Sequence, residues 1–219
     1  MVYGALPDDL VELCLDNNYL LELDCALLPK TLEVLQVRNV RTLTSIRNLD
    51  QLPNLCELNL GGCSGLTTLP VLPPKLHTVR LGHCIGLTEL PPLARLPNLR
   101  ILDINMTTRL HELPALPEGL TWLLAQFSAL DEPPYLPESL CCLDLAHSMV
   151  VLLGLAPERR DREGIADYTE RTRTWWNGCL AKERFDAIHE ELMAAAWHPK
   201  RVEAWLSHGE EVLDNIMGC

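Results

Sequence analysis

Residues 55–74 read LCELNLGGCSGLTTLPVLPP, and the chain continues from Leu76 with LHTVRLGHCIGLTELPPL. Both segments fit one template, L-x-x-L-x-L-x-x-C-x-x-L-x-x-L-P. A unit this short cannot bury its own leucines, so it folds only when neighbouring copies stack on one another. The sequence therefore predicts a repeat protein whose function depends on the surface that the stack presents.

The template recurs along the first two thirds of the chain. Alternate residues of L-x-x-L-x-L point to opposite faces of a strand, so the leucines are predicted to face the core. Adjacent cores are predicted to pair as parallel strands on the concave side of a curved solenoid, with irregular or helical return segments behind them. The seven strand cores, spaced by 20 to 23 residues, begin at Leu10, Leu32, Leu55, Leu76, Leu99, Leu120 and Leu140.

These repeats resemble the leucine-rich repeat family over about residues 5–153. The L-P-x-L-P-x-x-L segment at 113–120 resembles repeats of bacterial secreted effectors, and the G-C-S-x-L-x-x-L-P phrase at 62–70 resembles repeats of plant immune receptors. The resemblance implies an α/β fold built as a leucine-rich repeat solenoid. It also implies an interaction scaffold that binds a protein partner on the concave face, and not an enzyme.

The leucine pattern ends near Gly154. We therefore divide the chain into a solenoid of about seven repeats, 1–154, and an α-helical C-terminal cap or adaptor region, 155–219. Because an open solenoid end exposes apolar side chains, the second region is predicted to cover the last repeat. The alternative is an adaptor that couples the repeats to ubiquitin transfer. Helical patterns occupy 158–178, 180–197, 199–209 and 212–217 of this region.

The ninth position of each repeat lies where the strand turns away. A small polar side chain there is predicted to point inward and to bond backbone groups that the turn frees. This gives Cys63 and Cys84 a structural role and makes a metal site unnecessary. The seven residues are Asn18, Val40, Cys63, Cys84, Thr107, Ser128 and Ser148.

The outward positions change character along the stack. They are mostly polar in the second to fifth repeats and then become apolar and aromatic, which is unusual on an open sheet face unless something covers it. Two alternatives to a protein partner remain open: the C-terminal region folds back over this surface, or the repeat register slips by one residue there. The predicted partner-binding residues are Ile101, Asp103, Met106, Trp122, Leu124, Phe127 and Asp144.

The composition argues against several kinds of partner and indicates a cellular compartment. The formal net charge of −12 argues against nucleic acid or an anionic membrane as the main partner. No apolar run approaches the length of a membrane span, and the segment MVYGALPDD has no signal-peptide pattern. Nine cysteines, an odd number without paired spacing, indicate a reducing compartment, so we predict a cytoplasmic protein.

No catalytic, cofactor or metal site is predicted. Cys142 and Asp144 have the Cys-x-Asp spacing of a ligase domain that accompanies some bacterial effector repeats, but they lie inside a strand core. The C-terminal region is also much shorter than that domain. Cys141 and Cys142 are predicted to face opposite sides of the strand, which opposes joint metal binding. The pattern identifies neither the partner nor the oligomeric state.

Overall fold

The computed structural model describes residues 6–131, 135–152, 156–160 and 162–179. Within these residues one parallel sheet has seven strands, in the order β1-β3-β5-β6-β7-β8-β9, and a second sheet pairs β2 with β4. The strands are β1 (Glu12–Cys14), β2 (Glu22–Asp24), β3 (Val34–Gln36), β4 (Ser45–Arg47), β5 (Glu57–Asn59), β6 (Thr78–Arg80), β7 (Ile101–Asp103), β8 (Trp122–Leu124) and β9 (Cys142–Asp144), followed by helices α1 (Met149–Leu152) and α2 (Ile165–Cys179).

Each strand of the large sheet lies inside one predicted strand core. We number the repeats 1 to 7 and count positions from their first leucines, so that every strand covers positions 3 to 5. The pairing is in phase throughout, with position 4 facing position 4 in each neighbouring pair, as in Leu58 opposite Val79. These position-4 side chains are fully buried from β3 to β9. At about 25 cal/mol per Å² of apolar surface, the stacking of neighbours supplies the burial that one repeat lacks.

The return segments differ along the stack. In repeats 1 and 2 they contain β2 and β4, together with short 3₁₀ helices at Cys25–Leu27 and Leu49–Gln51. An ion pair between Arg47 and Glu22 joins the two convex strands. In the described part of repeats 3 to 6 the return segments have no helix or strand. The solenoid therefore combines two kinds of return segment on one continuous sheet.

The side chains at position 9 bond the backbone as predicted in every repeat except the second, where Val40 is buried without a polar group. Thr107 Oγ1 donates to the Ile104 carbonyl at 2.7 Å, within its own repeat. Cys63 Sγ instead donates to the Val37 carbonyl of the preceding repeat at 2.9 Å, and Cys84 does the same at 3.1 Å. Both thiols are buried, which raises the pKa of Cys63 to about 11 and that of Cys84 to about 12. Their role in the described structure is to satisfy the turn.

Helix α2 packs against β9, the last strand of the ladder. A parallel strand at the end of a sheet has backbone groups without a neighbour, and these need partners when buried. The Leu143 N–H donates to Thr169 Oγ1 at 2.9 Å, in the direction where an eighth strand would lie. The same hydroxyl donates to the Ile165 carbonyl at 2.7 Å. Thr169 thus replaces the missing strand for this N–H.

Two further side chains on the same stripe of α2 continue this substitution. Asn177 accepts from the Leu136 N–H at 3.1 Å and donates to the Leu136 carbonyl at 2.9 Å. Arg173 donates to the carbonyls of Glu138 and Leu140. Ser139 bonds the corresponding two carbonyls of repeat 6, so Arg173 takes the place of the residue that an eighth repeat would supply.

The apolar side of α2 completes the cover. Tyr168 and Trp176 are buried, whereas Trp175 is exposed. The segment before α2 is held by Arg171, which donates to both Glu163 oxygens at 2.8 Å and lowers the pKa of Glu163 to about 2. The helix starts at Ile165, later than the pattern over 158–178 predicts.

The predicted helices at 180–197, 199–209 and 212–217 lie outside the described residues, as does the boundary at Gly154. In the part of the chain that is described, no helix combines the length and apolar character that a bilayer crossing requires.

Candidate interaction surface

The outward side chains at positions 3, 5 and 7 form the surface that we call the strand face. In repeats 1 to 4 its charged groups bond one another. Arg38 Nε donates to Asp16 Oδ2 at 2.7 Å, and Arg80 pairs with Glu57. Burial alone would raise the pKa of Asp16, but hydrogen bonds from the side chain and backbone of Arg38 outweigh it and lower that pKa.

The strand face becomes apolar in repeats 5 and 6. Ile101 lies directly opposite Trp122 in the paired strands β7 and β8, and Leu124 follows two residues after Trp122 on the same face. Side chains in such a pair lie about 5 Å apart. Trp122 is 46% exposed, and the other two are half-buried. The structure therefore brings these three predicted residues together, and we call them the apolar strip.

The two predicted acids flank the apolar strip, but each already bonds the backbone. Asp103 Oδ1 accepts from the Asn105 N–H at 3.0 Å, and Asp144 Oδ1 accepts from the Ala146 N–H at 3.2 Å. Asp144 Oδ2 also accepts from the side chain of Gln126. The pattern of outward acids did not reveal this role. The second oxygen of Asp103 is the one that stays available.

Met106 and Phe127 lie beyond the strand ends, at position 8. Both have left-handed backbone, with φ of 57° and 52°, a conformation that is costly for a bulky residue. Phe127 stacks on His147 with ring centroids 4.7 Å apart. Position 8 is left-handed in all seven repeats, as Asn17, Asn39, Gly62, His83, Met106, Phe127 and His147. Asparagine and glycine in the first three repeats were the sequence signal for this turn.

Two alternatives to a protein partner were a register slip and a cover formed by the C-terminal region. The structure decides the first and, for the residues up to Cys179, the second. A register slip is excluded, because Ile101 pairs with Trp122 in phase and Leu123, between Trp122 and Leu124 in β8, is buried in the core. Cys142, which pairs with Trp122 in the strand next to α2, is buried, whereas Trp122 itself is accessible. Any cover supplied by the predicted helices after Cys179 falls outside the described residues.

The Cys-x-Asp pair, Cys142 and Asp144, forms the two ends of strand β9. Cys142 is buried, and burial raises the pKa of its thiol, which disfavours the thiolate that a nucleophile requires. Cys141, on the opposite side of the strand, is exposed. Among the described residues no group of three or more His, Cys, Asp or Glu side chains is arranged to hold a metal ion.

No protein-family model matches the chain, and no curated protein does. Solved structures that are similar to it include two of YopM. One is YopM from Yersinia pestis, described as a leucine-rich effector protein, at 27% identity over 65% of this chain and 51% of that chain, with a TM-score of 0.43. The other is YopM from Yersinia enterocolitica WA-314, at 30% identity over 66% of this chain and 35% of that chain, with a TM-score of 0.46.

This chain thus spans about half and about a third of the lengths of those two proteins. Its own repeats carry the assignment: seven leucine cores 20 to 23 residues apart, each forming one strand of a parallel, in-phase ladder. The chain has the architecture of a leucine-rich repeat solenoid.

Proposed function

We propose that this chain is an interaction scaffold that binds a protein partner on the strand face of repeats 5 to 7. The observation that carries the proposal is the exposure of Trp122 between Ile101 and Leu124, on a face whose two arginines, Arg38 and Arg80, are paired with Asp16 and Glu57. Partly exposed aromatic side chains with a polar rim are typical anchors of protein interfaces. Asp103 and Asp144 supply that rim.

Met106 and Phe127 extend the proposed surface at the strand ends. Their left-handed backbone costs each turn free energy that asparagine or glycine would not. A contribution of their side chains to binding gives a reason for placing bulky groups there. The proposal assigns no catalytic residue, cofactor or metal to the chain, and it takes neither nucleic acid nor a membrane as the partner.

The test uses the intact chain with a photo-crosslinking residue at Leu124 to capture the partner, followed by affinity measurements with the purified pair. Trp122→Ala should weaken binding by about 2 kcal/mol, or about 30-fold, without changing the melting temperature. Trp175→Ala is the matched control, because Trp175 is an exposed tryptophan on α2 and not on the strand face. Equal affinities for the wild type and Trp122→Ala would refute the proposed surface.

For the C-terminal region we propose that residues 155–219 cap the solenoid formed by residues 1–154. The contacts of α2 with β9 support this role. The adaptor alternative, with coupling to ubiquitin transfer, depends on residues after Cys179. It predicts that residues 155–219 alone co-purify with ligase components, whereas a cap alone is expected to be unfolded or insoluble.

A further inference from the structure

In the described residues the backbone N–H at position 7 is capped by a side-chain oxygen in five of the seven repeats; repeat 1, with Cys14 at position 5 and no repeat before it in the described ladder, is one exception, and repeat 4 is the other. The oxygen comes either from position 5 of the same repeat or from position 7 of the preceding repeat. In the described residues the five caps are Asp16 on Arg38 at 2.6 Å, Asn59 on Gly61 at 3.1 Å, Asp103 on Asn105 at 3.0 Å, Asn105 on Gln126 at 2.7 Å and Asp144 on Ala146 at 3.2 Å.

Gly82 breaks this rule. Position 5 of its own repeat is Arg80, and position 7 of the preceding repeat is Gly61, so neither side chain has an oxygen to offer. Within the described part of the chain, no atom accepts a hydrogen bond from the Gly82 N–H. The residue is half-buried on the strand face, so this donor stays available on an accessible surface.

An acceptor is available beside it. In repeats 6 and 7, Gln126 at position 7 donates its amide to Asp144 at position 5 of the next repeat. The same two positions in repeats 4 and 5 are Gly82 and Asp103. With no side chain on Gly82, Asp103 Oδ2 receives no hydrogen bond from the described residues. The two Asp103 oxygens lie 3.5 and 3.6 Å from the point that a Cβ on Gly82 would occupy.

Gly61, Gly82, Arg80 and Asp103 line a single depression in the strand face, with a volume of about 270 Å³. Its charges decide what it can hold. Arg80 is neutralised by Glu57, and the adjacent Arg38 is neutralised by Asp16. Asp103 makes no ion pair with any described residue, so the local sum is one negative charge. An anion is therefore disfavoured despite the two arginines.

We propose that this depression binds the primary carboxamide of an asparagine or glutamine side chain. Its oxygen accepts from the Gly82 N–H, as the Asn105 oxygen accepts from Gln126, and its NH₂ group donates to Asp103, as Gln126 donates to Asp144. One ligand group thereby supplies the acceptor that a side chain at Gly61 would offer and the donor that a side chain at Gly82 would offer. The inference rests on the proposed function only in taking this side chain to belong to the protein partner.

The test follows the backbone amide of Gly82 by ¹H–¹⁵N NMR in the full chain. The probe is N-acetyl-glutamine N-methylamide, and the N-acetyl-glutamate analogue is the comparison. The glutamine probe should shift the Gly82 amide saturably, and the glutamate probe should need at least about tenfold higher concentration because its charge faces Asp103. No saturable shift, or tighter binding of the glutamate probe, would overturn the assignment.

Two variants fill the depression from inside the chain. Gly61→Asn supplies an acceptor from the preceding repeat, and Arg80→Asn supplies one from position 5 of the same repeat. Each should abolish the probe-induced shift of Gly82, whereas Ala146→Gln, a position-7 change in repeat 7, should leave it intact. A shift that persists in both filled variants would overturn the proposal. These measurements involve no partner, so failure here leaves the Trp122 test untouched, and failure of the Trp122 test leaves this site standing.

Discussion

The two ends of the seven-stranded ladder are finished in different ways. At the β9 end, Trp176 of α2 packs in the core, Tyr168 is also buried, and Thr169 bonds the backbone of the strand. At the β1 end, no strand pairs with the outer edge in the described residues, and Leu13 is only half-buried. A repeat at the β1 end therefore contributes less to the free energy of folding than a repeat in the middle, because a repeat obtains most of its burial from its neighbours.

Removing the cover at the β9 end should have the largest effect. A chain ending at Gly154 loses α2, leaves the β9 edge open and exposes apolar surface that α2 covers. We expect it to aggregate or to lose its cooperative melting transition. Size-exclusion chromatography and thermal unfolding monitored by circular dichroism provide the measurement.

A chain ending at Cys179 is the matched control, because it keeps α2 and should stay monomeric with a sharp transition. If the chain ending at Gly154 is monomeric and melts as sharply as the full chain, α2 is not needed as a cap.

Equivalent leucines at the end and in the middle of the ladder should contribute differently to the free energy of unfolding. Leu58 and Leu13 both occupy position 4, but Leu58 is fully buried and Leu13 is only half-buried. Leu58→Ala should lower the free energy of unfolding by about 3 kcal/mol, and Leu13→Ala by about half as much. Chemical denaturation of the two variants measures the difference. Equal losses would mean that the β1 end is as well covered as the middle.

The ladder of repeats was predictable from the sequence, whereas the way in which α2 covers its β9 end was not. The leucine spacing predicted the seven strands of the large sheet, their parallel pairing and the inward side chains at position 9, because each follows from a pattern that recurs, but it did not predict β2 and β4. Thr169, Arg173 and Asn177 recur nowhere, and a stripe of polar side chains on a helix normally indicates solvent. They bond β9 only because the ladder stops there.

The same limit applies to the strand face. Outward placement of Trp122 and Ile101 follows from period 2, and the structure puts both on that face. The bond from the Asn105 N–H to Asp103 and the left-handed turn at Phe127 are both local, but they lie at positions 5 and 8, which the leucine template leaves open. Gly82 stands at a position that the template leaves open, so its unbonded N–H could be found only in the structure.

The polar half of the α2 cover should have a smaller effect than the leucines. Thr169→Val keeps the shape of the side chain and removes the oxygen that accepts from the Leu143 N–H, leaving a buried donor without a partner. We expect a loss of about 1 to 3 kcal/mol in the free energy of unfolding. Thr174→Val is the control, since Thr174 is an exposed threonine of the same helix. Equal stability of the two variants would show that water or another group satisfies Leu143.

The reactivity of the cysteines compares the ends of the ladder with its middle and requires no substitution. Cys14 lies on β1 and Cys141 borders β9, and both are exposed, whereas Cys63 and Cys84 lie in the middle of the stack and are buried. Only the thiolate reacts, so burial protects the inner pair twice, by blocking access and by raising the pKa of Cys63 to about 11 and that of Cys84 to about 12.

A brief iodoacetamide pulse on the native protein near pH 8 should therefore modify Cys14 and Cys141 first. Cys56 should follow, because it is half-buried whereas Cys14 and Cys141 are exposed. Cys63 and Cys84 should react last, and at a rate that rises with denaturant, since their thiols become accessible only when the stack opens. Peptide mass spectrometry after each pulse gives the order. Early labelling of Cys63 or Cys84, or a disulfide peptide that joins them, would show that the middle of the ladder opens as readily as its ends.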